Sequence, residues 1–235
     1  MPERVLVTGA TGFVGSHIAR AFAEAGREVL CSVRSTSDTR WIDDLATERV
    51  LLDLESRGSL VEAVRGVQVV VHAAGLTRSD RASDYRFVNA VGTRRLAGAA
   101  AASGVRRFVL ISSLAARGPD ASTKAGRDHP VSGYGRSKLA AETYLRDLEG
   151  AMEVVVLRPA AIYGPRDKDF LPLFRMARAG LLLVPGSAGP LQPIYVDDVA
   201  RATLAATGEH GVGFGPFSVA GEQTYSWQDV VTGLK

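Results

Sequence analysis

The sequence predicts a doubly wound parallel α/β sheet, and three observations predict it. Short apolar, β-branched runs alternate with longer amphipathic stretches, as a parallel sheet requires when every crossover is a helix. The runs are apolar throughout rather than at every second residue, which suits strands covered on both faces. A loop carrying Gly9, Gly12 and Gly15 joins the first run to the first amphipathic stretch.

Arg4 to Val7 reads as the first strand and residues 12–25 as the first helix. Glu28 to Val33 and Arg49 to Leu52 follow as strands, and a helix over residues 56–64 leads to Val67 to Val71. One continuous helix is expected over residues 84–102 before the fifth strand, Arg107 to Ile111, and another over residues 134–148 before the sixth, Glu153 to Leu157. Past Leu157 the prolines at 159, 165, 172, 185, 190 and 193 cut the chain into shorter pieces. Residues 1–157 therefore read as a dinucleotide-binding unit, and residues 158–235 as a small mixed substrate region partly packed back on it. A helix begins near Ser226 just before the sequence stops, which suggests truncation of a longer chain.

With 235 residues, 46% of them hydrophobic, the chain can bury one large core. The net charge of +3 comes from scattered arginines, so no basic footprint for nucleic acid or an anionic membrane is expected. One cysteine, Cys31, excludes an internal disulfide and fits a reducing, cytoplasmic setting. Neither a signal peptide nor a membrane span is read, and the four histidines and one cysteine lack metal-ligand spacing, so no metal is expected.

The glycine loop is the first functional signal. Gly9 permits a tight turn, Gly12 lets the backbone approach a pyrophosphate, and Gly15 allows close packing of helix on strand. Thr11, Phe13, Val14 and the three glycines are the candidate cradle, since free N–H groups and the helix dipole attract phosphate there. At the end of the second strand an acidic residue would bind a ribose 2′-hydroxyl. The chain has Arg34 followed by Ser35, which favours a 2′-phosphate and hence NADP over NAD.

Tyr134 and Lys138 form the second signal, because residues four apart share one helix face. An ammonium beside a phenol is expected to lower its pKa and fit it for proton transfer. Ser112 and Ser113, at the carboxyl end of the fifth strand, stand where such sheets place ligands.

With these residues in hand, the chain resembles the extended short-chain dehydrogenase/reductase family, also called the NAD-dependent epimerase/dehydratase family. The likeness runs through Thr8 to Gly15, Asp53-Leu54, His72 to Gly75, Asn89 to Thr93, Ile111 to Ser113, Tyr134 to Lys138, Arg158 to Pro165 and Val196 to Ala200. The resemblance implies a Rossmann-type fold and a trio of Ser113, Tyr134 and Lys138, with Ser113 preferred to Ser112 by its distance from Gly118. It further implies that Asp53 and Leu54 border the adenine, that Ala73, Ala74 and Gly75 line the cofactor, and that Asn89 helps hold the active-site helices. Pro159, Ala160 and Ile162 would flank the nicotinamide. For His72 and Asn89 the reading of a polar group satisfying nearby backbone stands equally beside the functional one.

Two departures narrow the chemistry. Leu114-Ala115 follow Ser113 where sugar-nucleotide dehydratases of the family place Asp-Glu, leaving no acid for water elimination. Leu191-Gln192-Pro193 stand where the family's epimerases carry an arginine for the substrate diphosphate, with Arg166 and Arg175 as its candidate replacements. These features resemble the dihydroflavonol-reductase and hydroxysteroid-dehydrogenase branch, which handles less polar small molecules. The expectation is an NADP-dependent oxidoreductase acting on a carbonyl or alcohol; the alternatives are an NAD(P)-dependent nucleoside-diphosphate-sugar epimerase and a non-catalytic dinucleotide sensor. The resemblance also implies a homodimer through the helices over residues 84–102 and 134–148, whose alanines equally suit packing on the sheet.

Overall fold

The computed structural model describes residues 3–119, 128–148, 150–178, 189–208 and 215–233. In the first half, β1 (Arg4–Thr8), α1 (Phe13–Glu24), β2 (Glu28–Val33), β3 (Glu48–Leu51), α2 (Arg57–Ala63) and β4 (Val69–His72) alternate. After them come α3 (Ala82–Tyr85), a π-helical turn (Arg86–Val91), α4 (Gly92–Ala102), β5 (Arg107–Ile111), a 3-10 turn (Leu114–Ala116) and α5 (Gly133–Arg146). The chain continues with β6 (Glu153–Pro159), β7 (Ile162–Tyr163), α6 (Leu171–Arg178), β8 (Ile194–Tyr195), α7 (Val196–Ala205), β9 (Pro216–Val219) and α8 (Trp227–Gly233).

Seven strands pair in parallel in the order β3-β2-β1-β4-β5-β6-β9. The order reverses beside β1, which opens the crevice at the carboxyl ends of the strands where this fold takes ligands. The continuous apolar runs have the predicted cause, since alternate residues of each strand enter two different cores. Leu6, Leu30, Val70, Phe108 and Val156 pack with Leu60, Leu96 and Leu145 on one face. On the other, Val5, Val7, Val71, Val109 and Val155 pack with Ile18, Phe22 and Ala200.

The helix expected over residues 84–102 is interrupted. The π-helical turn widens it just where the buried Asn89 turns its amide toward Leu76, and the Thr93 hydroxyl donates back to the Asn89 carbonyl at 2.6 Å. Ala97, Ala100 and Ala141 are fully buried on the sheet. Beyond Leu157 the chain returns to the main sheet, for β9 pairs with β6 from Val156↔Pro216 to Pro159↔Val219. β7 and β8 form a separate two-stranded parallel ladder, and α7 lies on α1. Among the described residues, no helix is long and apolar enough to cross a membrane and no metal-holding cluster occurs.

Candidate active site

The glycine loop leaves the start of α1 bare. Gly12 at the N-cap has no side chain to cap it, and the first turn holds no acid. These free N–H groups and the positive end of the helix suit an anion. A Cβ at Gly15 would lie 2.1 Å from the Gly9 carbonyl oxygen, and one at Gly9, whose φ is +70°, would lie 2.7 Å from the Ala74 nitrogen. Only glycine permits these approaches, so the residues present fit a dinucleotide phosphate.

From this cradle a cleft of about 750 Å³ runs along the strand ends. It gathers Gly9, Thr11, Gly12, Arg34, Ser35, Asp53, Leu54, Ala73, Ala74 and Gly75 from the predicted set. Arg34 is exposed at the end of β2, in a turn where its N–H meets the Ser37 hydroxyl and the Ser37 N–H returns to its carbonyl. The cleft is also lined by Leu51, Ser59, Phe87, Val88 and Arg95, which sequence reasoning missed. The helical texture of residues 84–102 gives no sign that Phe87 and Arg95, with the guanidinium 5.5 Å from the ring centre, face a crevice.

Behind the cleft, a chain of hydrogen bonds runs through His72. The Ala74 N–H donates to the Thr8 hydroxyl at 3.2 Å, and that hydroxyl meets His72 Nδ1 at 2.7 Å. His72 Nε2 meets the Thr93 hydroxyl at 3.0 Å, whose own proton goes to the Asn89 carbonyl. Thr93 must therefore accept, which assigns the Nε2–H tautomer and makes Nδ1 the acceptor from Thr8. Burial, aided by the charge on Lys138, pushes His72 down to about 3 and keeps it neutral. Asn89 completes the link: its amide accepts from the Leu76 N–H, donates to the Leu76 carbonyl and donates to the Ser137 hydroxyl. It does not line the cleft; it braces the cleft floor against α5.

On α5 the helix start is fixed by Ser132, whose hydroxyl accepts from the Gly135 N–H at 2.9 Å. Tyr134 lies in the first turn, near enough to Ser113 for that hydroxyl to favour its ionised form, and edge-to-face with Tyr85 at 6.2 Å. Gly135 makes the approach possible, because a Cβ there would sit 2.2 Å from the Ala115 carbonyl oxygen. Ser112 is occupied elsewhere. Its hydroxyl donates to Glu142, which also holds the guanidinium of the buried Arg158, and Arg158 in turn grips Asp128.

Lys138 is buried and its ammonium donates to the Ile111 carbonyl at 2.9 Å. A Cβ at Gly75 would lie 3.3 Å from Lys138 Nζ, so the lysine abuts the cleft wall. Burial lowers Lys138 to about 8, with Glu142 pulling the other way. The expected lowering of Tyr134 is reversed. Burial raises the phenol, the Ser113 hydroxyl offsets part of this, and Tyr85 adds to it. The physical reason is that Lys138 sits 5.9 Å from the ring centre and donates its hydrogen bond to a backbone carbonyl. Pro159, Ala160 and Ile162 lie outside the cleft on and after β6; the Ala160 N–H donates to Val219 at 2.8 Å.

The model of the NAD dependent epimerase/dehydratase family matches residues 5–220. The chain belongs to this family. It is an NAD(P)-dependent enzyme of the extended short-chain dehydrogenase/reductase type, as the resemblance implied. Among curated family members, it is 34% identical over 230 residues to a ceramide reductase of Caulobacter vibrioides, covering 97% of this chain and 68% of that protein. It is 34% identical over 202 residues to a UDP-glucose 4-epimerase of Vibrio cholerae, covering 80% and 60% respectively. Among solved structures, MoeE5 in complex with UDP-glucuronic acid and NAD superposes with a TM-score of 0.85 at 28% identity, covering 98% of this chain and 81% of that one.

Proposed function

We propose that this family member is an NADP-dependent reductase that converts a weakly polar carbonyl compound to its alcohol. The observation that carries the reading is the Tyr134 phenol, held in its protonated form by burial one helical turn before Lys138, whose ammonium abuts the cleft wall at Gly75. A phenol that keeps its proton through the neutral range is suited to donate it to an alkoxide forming at a carbonyl.

A nicotinamide cofactor bound in the cleft would supply the hydride. Ser113 orients the substrate oxygen and Tyr134 protonates it as the carbonyl carbon is reduced. Lys138, tied to Ile111 and abutting Gly75, is placed to hold the nicotinamide ribose. Arg34 and Ser35 take the 2′-phosphate, and Gly9, Thr11, Gly12, Phe13, Val14 and Gly15 form the pyrophosphate cradle. Asp53, Leu54, Ala73, Ala74 and Gly75 line the path between, with Pro159, Ala160 and Ile162 beyond it toward the ring.

The epimerase relative makes nucleoside-diphosphate-sugar epimerisation the second reading. Against it, the Gln192 amide donates to the Gly221 carbonyl at 2.8 Å where a diphosphate clamp is wanted, and Arg166 faces α1 instead. Fluorescence titration with NADPH and NADH, followed by turnover of hydrophobic ketones in competition with UDP and dTDP sugars, tests both readings. Tighter NADPH binding and ketone reduction are expected; preference for NADH with binding of a sugar nucleotide selects the epimerase.

A further inference from the structure

We propose that Arg166 supplies a cation to the cofactor's pyrophosphate, delivered by the segment after β7. The proposal rests on the reading that the cleft holds a dinucleotide, but not on the choice between NADP and NAD, since both carry the pyrophosphate.

Arg166 is half-buried against the amino end of α1. Its guanidinium donates to the Ser16 hydroxyl at 2.8 Å in the first turn of α1 and stacks over Trp41, 5.6 Å from the ring centre. This is the positive end of a helix with no acid in its first turn; burial and Arg20 weaken Arg166's hold on its proton, and Asp44 and Asp197 restore part of it. Among the described residues no carboxylate pairs with it. The nearby acids are committed, Asp44 to Arg20, Asp197 to His17, and Asp167 to the N–H groups of Asp169 and Phe170.

The backbone is held there as well. Arg166 has a φ of 76°, uncommon for a residue with a Cβ, and its neighbour Pro165 accepts from His17 Nε2 at 3.1 Å. Three residues on, Asp169 pairs with Arg78, in the loop that leaves β4 past Gly75. The segment thus joins α1 to the loop that follows β4. β1 pairs with β4, and Gly9 just past its end packs on Ala74, two residues past the end of β4. An anion of two negative charges on the cradle complements both positive groups, and a planar guanidinium suits phosphate oxygens.

Arg166→Gly and Arg166→Lys in the full chain test this by fluorescence titration with NADPH and by competition with adenosine 2′-monophosphate, which lacks the pyrophosphate. Glycine accepts the positive φ freely, so the fold is kept while the cation is lost. Arg166→Gly is expected to raise the NADPH dissociation constant about tenfold, leave that of adenosine 2′-monophosphate unchanged and keep the melting temperature, with Arg166→Lys in between. NADPH binding as tight as in the unaltered protein, or equal weakening of both ligands, overturns the proposal. Should the unaltered protein prefer NADH, the same comparison is read with NADH against adenosine as reference, so a wrong cofactor choice and a wrong role for Arg166 show separately.

Discussion

The ammonium of Lys138 donates to the main-chain carbonyl of Ile111 at 2.9 Å, so a buried cation is moored to the end of β5 one helical turn from Tyr134. Folded Lys138 titrates near 8 against 10.5 for an unburied lysine. Between these values the unfolded chain binds the extra proton, so the folded state gains stability as pH rises through that window and carries the burial penalty below it. Lys138→Met should therefore melt higher than the unaltered protein at pH 7 without nucleotide, an advantage of a few kcal/mol that shrinks toward pH 10. Thermal melts of both proteins across this range check it; a constant difference refutes the buried charge.

Tyr134→Phe removes the proton donor and leaves the ring contact with Tyr85. Turnover should fall by about a hundredfold or more, while NADPH binding by fluorescence stays within about twofold. Retained turnover removes Tyr134 from the mechanism.

His72 stays neutral down to about 3 in the fold but accepts a proton near 6.5 when exposed. Its contribution is complete above pH 6.5 and is lost as pH falls toward 3, by roughly 1.4 kcal/mol per pH unit. Urea unfolding at pH 7 and pH 5 should show His72→Gln less stable at pH 7 but with a shallower acid loss than the unaltered protein. Parallel losses contradict the assignment.

Arg34→Glu places a like charge where the 2′-phosphate is expected. NADPH affinity should drop about a hundredfold, or about 3 kcal/mol, and NADH affinity should hold or improve. Equal effects on both nucleotides show that Arg34 does not read the 2′ position.

Gly135→Ala forces a methyl group against the Ala115 carbonyl, two backbone segments with little room to yield. A stability loss of about 2 kcal/mol or more is expected in denaturant titration, together with lost turnover, because α5 must withdraw from the turn after Ser113.

The parts of this molecule legible in the sequence are those whose cause is local. Val5 to Val7 or Val69 to Val71 announce themselves because a strand covered on both faces has no polar alternation. Gly9 and Gly15 do so because only one residue type tolerates the contacts there. What stayed hidden depends on partners far along the chain. The π-helical turn keeps the apolar rhythm of a helix and is set by Asn89 meeting Leu76 and Ser137. β9 begins with a proline and holds four residues, so only its pairing with β6 makes it a strand. The direction in which Tyr134 shifts was illegible for the same reason, since spacing places Lys138 on its face but only the packed protein decides how deeply the phenol is buried and where the ammonium points.

The His17–Asp197 contact joins α1 to α7 across 180 residues, with a bearing on biosynthesis. A ribosome adding roughly 5–20 residues per second takes on the order of 10 to 40 s to travel that far. Throughout that interval the nascent chain carries its first helix without the α7 partner that His17 will meet. Cellular yield should accordingly respond to chaperone supply during translation more than equilibrium stability alone suggests.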